Sequence, residues 1–329
     1  MTTDPRFIHL RVHTEYSLLE GAVPVKKLPG MAAAMQMPAV AVTDSNNMFC
    51  ALEFSEGASK AGIQPIIGCQ VDLQYTTPEP GKRPEDPAPI VLLAQSEAGY
   101  MNLMKLNSCE YLDAGGQLPQ VTLEDLAQYH AGLICLSGGP DGPVGRLLRQ
   151  GQRPKAEALM DRLAAIYPDR LYVELQRHPG EGGPPEAERL SERGHIEMAY
   201  AKNLPLVATN DVYFPKTELY EAHDALLCIS DGAYVDQQEP RRRLTPQHYF
   251  KSPQEMATLF ADLPEALENT IEIAKRCAFK VYKRDPILPK FADDEVVELR
   301  RQAEEGLKAR LAVMISFLIR LLLQARLFG

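Results

Sequence analysis

A chain of 329 residues with 45% hydrophobic and 24% charged content can bury one large core, or one core and an appendage, which excludes a disordered chain. The net charge of −9 is the wrong sign for a protein that grips nucleic acid over its whole surface, because phosphate contacts need clustered Lys and Arg. Six scattered cysteines without a CxxC pair, and no signal-peptide pattern at the start, predict reduced thiols in a cytoplasmic protein rather than a disulfide framework or structural zinc site.

Seven short β-type runs follow one another along the chain: Phe7–His13, Ala39–Asp44, Pro65–Tyr75, Ile90–Ala94, Leu133–Ser137, Leu171–Gln176 and Leu204–Asn210. Several are almost continuously apolar, as parallel strands covered on both faces are. Helix-like stretches lie between them, including Val25–Met37, Asn47–Ala61, Lys155–Ile166 and Pro185–Lys202. Alternation of this kind predicts βαβ units and a parallel sheet. The segment Thr76–Pro89, with prolines at 78, 80, 84, 87 and 89, reads as an exposed loop.

Both a barrel and a doubly wound sheet fit seven such units. His13, Asp44 and Asp211 fall at the C-terminal ends of predicted strands, the face on which barrels build sites from many strands. No glycine-rich phosphate loop marks the single crevice of a doubly wound sheet. A barrel is therefore expected. After Asp211 the pattern turns helical, over Thr217–Ile229, Ser252–Leu259 and Pro264–Cys277, interrupted by Arg241-Arg242-Arg243. Glu295–Leu311 reads as a charged amphipathic helix. From about Val313 the chain becomes apolar, in a run too short and too interrupted by Arg320 and Arg326 to span a bilayer. It is either an amphipathic helix awaiting a partner or a sequence altered by truncation or a shifted reading frame, and the second is preferred.

In the opening segment, positions 9, 11 and 13 of His9-Leu10-Arg11-Val12-His13 are expected on one side of a strand, with a permanently charged, non-ligating Arg between two histidines. The run Phe7-Ile8-His9-Leu10-Arg11-Val12-His13-Thr14-Glu15-Tyr16-Ser17-Leu18-Leu19-Glu20-Gly21 resembles the opening of bacterial DNA polymerase III alpha subunits. So do Ala41-Val42-Thr43-Asp44, Gly62-Ile63-Gln64-Pro65-Ile66-Ile67-Gly68-Cys69, Val207-Ala208-Thr209-Asn210-Asp211-Val212 and Ile287-Leu288-Pro289-Lys290-Phe291. The resemblance implies a polymerase and histidinol phosphatase (PHP) domain, a distorted (β/α)7 TIM-like barrel, over residues 1–283. It makes 284–329 a linker and the leading edge of the polymerase palm.

Family members with an intact site hold metals at about nine positions for phosphoesterase or proofreading chemistry. By that resemblance His13, Glu20 and Asp211 keep the pattern, whereas Arg11, Ser45, Gln70, Pro89, Gly139 and Tyr213 replace ligands. Metal binding is then expected to be lost, since even changes behind the ligands weaken such sites roughly 10–100-fold. Arg11 is expected to neutralise Glu20, Asp44 or Asp211 in place of the cations. Asp44 is otherwise expected to cap the helix near Asn47, His178 to be a loop residue, Arg241–Arg243 to be a solvated loop more than a DNA contact, and Cys69 and Cys135 to be inert.

The same resemblance implies template-directed DNA synthesis in a full-length protein, with Mg held by palm carboxylates that this chain lacks. For the fragment it implies no cofactor, a non-catalytic scaffold role, and docking of the proofreading exonuclease and other holoenzyme subunits. The alternative is a free-standing metal-dependent phosphoesterase.

Overall fold

The structure, a computed structural model, describes residues 7–76, 85–112, 118–180, 182–286 and 288–327. The chain divides into two compact units, Met1–Tyr282 and Lys283–Gly329. In the first, six strands form one sheet in chain order: β1 (Ala39–Val42), β2 (Gln64–Leu73), β3 (Ala88–Ala94), β4 (Leu133–Leu136), β5 (Leu171–Gln176) and β6 (Leu206–Thr209).

The segment from His9 to His13 links the two ends of this sheet. Ala41 N–H donates to His9 O at 2.9 Å and Thr43 N–H to Val12 O at 2.9 Å, on the β1 side. On the β6 side His13 N–H donates to Val212 O at 2.8 Å and Val212 N–H to Arg11 O at 3.2 Å. The expected strand over Phe7–His13 is thus realised as isolated bridges rather than a regular ladder. The α/β barrel expectation holds.

One expectation is corrected. β3 runs antiparallel to both β2 and β4, while β1–β2, β4–β5 and β5–β6 are parallel. The sequence of the connection accounts for this: five prolines between residues 78 and 89 disfavour a crossover helix, and without a crossover a chain returns beside the strand it has just left. Strand β3 begins at Ala88, so Pro89 is a strand residue paired with Asp72, not part of a loop. The expected loop over 76–89 otherwise lies largely outside the described residues, which omit 77–84.

Helices cover the outside: α1 (Leu28–Ala34), α2 (Ala51–Lys60), α3 (Glu97–Leu112), α4 (Leu123–Tyr129), α5 (Pro143–Arg149), α6 (Arg153–Ile166) and α7 (Glu186–Ala201). They are followed by α8 (Tyr220–Asp231), α9 (Pro253–Leu259) and α10 (Pro264–Arg276). Alternation along β3 shows the two buried faces that apolar strands need. Ile90, Leu92 and Ala94 join a cluster with Leu103 and Leu106 of α3 and Leu163 of α6. Val91 and Leu93 pack instead with Ile66, Ile134, Leu136, Val207 and, from α10, Ile273. Ile8 N–H donates to Thr270 Oγ1 at 3.1 Å, tying α10 to the segment that joins the sheet ends.

The second unit carries α11 (Glu295–Leu327). It continues the helix expected over Glu295–Leu311 through the apolar run, which has no helix breaker to stop it. Among the described residues no helix is long and apolar enough to cross a membrane.

Candidate site at the barrel mouth

A cavity of about 610 Å³ opens at the C-terminal ends of the strands, lined by Arg11, Gln70, His178, Glu188, Asp211 and Tyr213 among others. Arg11 is its centre. The side chain is 2% exposed, and Nη2 donates to Gln70 Oε1 at 2.6 Å, while Nη1 donates to Glu174 Oε1 at 3.1 Å and Gly138 O at 3.3 Å. Nε lies 2.8 Å from Asp211 Oδ1, an ion contact whose N–H bond is not aimed along the line between the atoms. Burial pulls the guanidinium's pKa down, but Asp211 and Glu174 outweigh it and hold Arg11 more firmly protonated than usual.

Asp211 is the reciprocal case. Burial pushes its carboxyl up; Arg11, then His13, overcome this and hold it well below the usual carboxylate range. It sits at φ +48°, a left-handed conformation that Asp tolerates better than most residues and that aims the side chain back into the mouth. His13 Nε2 is 3.0 Å from Asp211 Oδ1, and its ring stacks on Tyr213 with centroids 4.2 Å apart.

Of the three carboxylates expected to meet Arg11, the structure brings only Asp211 to it. Glu20 accepts instead from Arg242 Nη1 at 2.7 Å and Ser45 Oγ at 2.8 Å. Burial raises its pKa, and the Arg242 and Ser45 hydrogen bonds more than reverse that. Asp44 accepts from Thr14 N–H at 2.6 Å, Thr14 Oγ1 at 2.8 Å and Ser17 Oγ at 2.7 Å. It does not cap a helix at Asn47, because α2 begins four residues later, at Ala51, and its N-cap is Cys50 with no side-chain cap bond. Hydroxyl and amide donors are closer than that helix end, so they claim the carboxylate.

The positions expected to replace ligands have structural uses. Ser45 Oγ reaches Glu20, and Gln70 supplies the neutral acceptor for Arg11. Gly139 holds φ +62°, and a Cβ there would stand 2.9 Å from the Gln176 amide carbon. Pro89 borders the cavity, and its carbonyl oxygen fills the space a Cβ on Gly138 would need. Gly138, at φ +89°, turns the chain so that its N–H donates to Glu174 Oε2 at 2.9 Å.

Two residues of the mouth carry no warning in the sequence reading. Glu174, fully buried on β5, accepts from Arg11, from Gly138 N–H and from Thr209 Oγ1 at 2.5 Å. The available signal was an acid inside the apolar run Leu171-Tyr172-Val173-Glu174-Leu175. His248 stacks on His178 with centroids 3.8 Å apart, and its Nδ1 donates to Asp211 O at 3.0 Å. Nothing local in sequence announces that contact.

His178 lies in the loop just after β5, as expected, but it is buried. Its Nε2 faces the Asn210 carbonyl at 2.5 Å, so that nitrogen carries the proton, and Nδ1 meets Glu188 Oε1 at 2.6 Å. A single proton must lie between Nδ1 and Glu188. Burial disfavours both charges, lowering His178 to about 4 and raising Glu188 to about 7, which favours a neutral pair over an ion pair.

Arg241 to Arg243 are tied down more than a solvated loop would be. Arg241 makes a two-pronged bond to Asp224 at 2.7 Å and 2.7 Å, and Arg242 bridges Glu20 and Asp231. Arg243 remains 57% exposed, with Nε 3.6 Å from Asp224. Cys69 and Cys135 are buried, and burial pushes both thiols up.

The mouth does not fit a multinuclear metal centre. Among the described residues no three His, Cys, Asp or Glu side chains converge as a metal ion requires. A fixed cation already contacts Glu174 and Asp211, and a metal would meet its repulsion.

The PHP domain family model matches residues 9–178, more than half of the chain. A DNA polymerase III alpha subunit from Caulobacter vibrioides is 50% identical over 311 residues, covering 93% of this chain and 27% of that protein. The alpha subunit of Rickettsia bellii is 40% identical over 93% of this chain and 25% of its own length. This chain thus spans about a quarter of the relatives it matches. Among solved structures, an amidohydrolase from Chromobacterium violaceum superposes with a TM-score of 0.40 at 15% identity, covering 63% of this chain and 87% of that one, too loosely to carry an argument. On the family match and these relatives, the chain belongs to the PHP domain family, in the form found within DNA polymerase III alpha subunits.

Proposed function

We propose that this chain is a non-catalytic PHP module of a replicative DNA polymerase, in which Arg11 does for the mouth carboxylates what metal ions do in hydrolytic members. The observation that carries the reading is the buried Arg11 guanidinium in contact with Asp211, Glu174 and Gln70. A guanidinium cannot polarise water or stabilise a leaving alkoxide as a Lewis acid does, and it cannot be exchanged. What remains is a rigid, internally neutralised platform.

Template-directed DNA synthesis with Mg belongs, on this proposal, to a longer protein that contains the palm. The module's own task is to dock other subunits, the proofreading exonuclease subunit first among them. A module that has lost its own hydrolytic site and a polymerase that borrows a separate proofreader form a consistent pair. The test is direct binding between the purified chain and the exonuclease subunit from the same source, by titration calorimetry. Saturable one-to-one binding supports docking; no heat and no co-elution at tens of micromolar would refute it. Turnover of a generic phosphoester that rises with added Mn would favour the free-standing phosphoesterase instead.

A further inference from the structure

The loop that leads from β5 into α7 is fastened at its two ends by one contact. His178, just beyond β5, and Glu188, in the first turn of α7, are both buried, whereas the described residues between them are exposed or half-buried. Pro185 and Ala187 of this loop line the mouth cavity. Glu188 Oε2 accepts from the His178 backbone N–H at 2.9 Å, and Oε1 meets the ring at Nδ1 at 2.6 Å.

Counting donors and acceptors fixes how many protons the fastened pair holds. Asn210 O can only accept, so His178 Nε2, 2.5 Å away, carries one. Nδ1 and Oε1 need a second between them, because a lone pair facing a carboxylate at that distance is repulsive. The count is two, whichever side of the contact the second proton sits on. Burial holds that proton above the usual carboxyl range. With the contact broken, an imidazole and a carboxyl regain their ordinary values of 6.5 and 4.5. Between those values the open pair also holds two protons, and above 6.5 it holds one. Closure is therefore insensitive to pH below 6.5 and takes up a proton above it, so rising pH favours the open loop.

The surroundings do not substitute for the proton. Asp141 before α5, Arg11 and Asp211 at the mouth, and His248 and Lys251 from the segment before α9 face the pair. Arg11 and Asp211 hold each other charged, and burial keeps His248 neutral, down at about 3. Lys251, which burial pushes down to about 8, donates to Asn210 Oδ1 and Gln247 O. On α7, Glu192 is taken by Arg177. Among the described residues the His178 ring is the only basic group within ion-pair distance of Glu188.

We infer that the His178–Glu188 contact is a proton-dependent clasp: a shared proton holds the β5–α7 loop in the wall of the mouth, and the loop is released as pH rises through neutrality.

The His178 amide reports the clasp, since its acceptor is Glu188 itself. Amide exchange of the full chain, followed by NMR and corrected for intrinsic rates, is expected to show opening there that is constant from about pH 5 to 6.5 and rises by up to about tenfold at pH 7.5. Local release requires more frequent opening there than at Val173, whose N–H donates to Pro205 O in the core; equal opening would overturn the clasp. Glu188→Gln should reverse the trend. Its amide can donate to Nδ1 while its carbonyl accepts from the His178 N–H, so closure then needs a neutral imidazole. Opening in the variant is expected to be flat above about pH 6.5 and to rise up to about tenfold for each unit below it. Wild-type opening that stays flat from pH 6.5 to 7.5 would overturn the clasp whether or not the variant folds, and so would a variant with the wild-type profile.

Discussion

Asp211 at the mouth and Glu110 on α3 are both buried carboxylates in the same barrel, and they end in opposite charge states. Asp211 lies against Arg11 and His13 and is held well below the usual carboxylate range. Glu110 accepts from Asn107 Nδ2 at 2.6 Å and more distantly from Asp72 N–H, and among the described residues no basic side chain pairs with it. Burial therefore pushes it up to about 8. At Glu110 two neutral donors do not restore the hydration that burial removes, whereas at Asp211 a guanidinium at contact distance does. Burial sets the cost, and the partner decides whether the group keeps its charge.

Removing the partner at the mouth should turn the first case into the second. Arg11→Ala strands Asp211 and Glu174 without their cation and is expected to destabilise the barrel by roughly 3–5 kcal/mol in urea unfolding at neutral pH. Asp211 has a depressed folded pKa, so its share of stability is present above the unfolded value and is lost as pH falls. The penalty of the substitution should accordingly shrink in acid. A variant as stable as the parent would mean that Arg11 and the carboxylates are not coupled.

Glu110 gives the converse. Its folded pKa of about 8 lies above the ordinary glutamate value of 4.5, so between these pH values the unfolded chain has released the proton that the fold retains. Stability should fall as pH rises from about 4.5 to 8 and then level off. Glu110→Gln, whose one carbonyl oxygen can accept from Asp72 N–H while its amide donates to a flipped Asn107 side chain, is expected to flatten that slope and to raise stability at pH 8 by on the order of 3 kcal/mol. An unchanged pH slope in the variant would show that the proton is held elsewhere.

The smallest effect belongs to the rim. Arg242 pairs with Glu20 and Asp231 at 39% exposure, where water competes for both charges. Arg242→Ala should cost roughly 0.2–1 kcal/mol, and less as salt is added. A loss comparable to that of Arg11→Ala would erase the distinction between buried and exposed pairs.

Much of the barrel was legible because its strands are short apolar runs, and a strand covered on both faces has little choice of residue. The direction of β3 was not, since nothing in Ala88–Ala94 itself encodes orientation; the proline-rich connection does. At the mouth, His13 and Asp211 could be named from position at strand ends, and Arg11 from its place between His9 and His13 on one side of the opening segment. Their pairing could not, because Glu20 and Asp44 are of the same chemistry and close in sequence, and the choice depends on where hydroxyls and Arg242 arrive from distant segments. Glu174 was hidden in a strand read for its apolar neighbours.

The central claim is that a fixed guanidinium stands where hydrolytic relatives place metal. Elemental analysis of the purified chain after dialysis against excess Zn and Mn, then against metal-free buffer, addresses it most directly. The account predicts well under one metal ion per chain for the parent and no gain in thermal stability during the metal exposure. Two or three ions retained per chain, with a raised melting temperature, would contradict it.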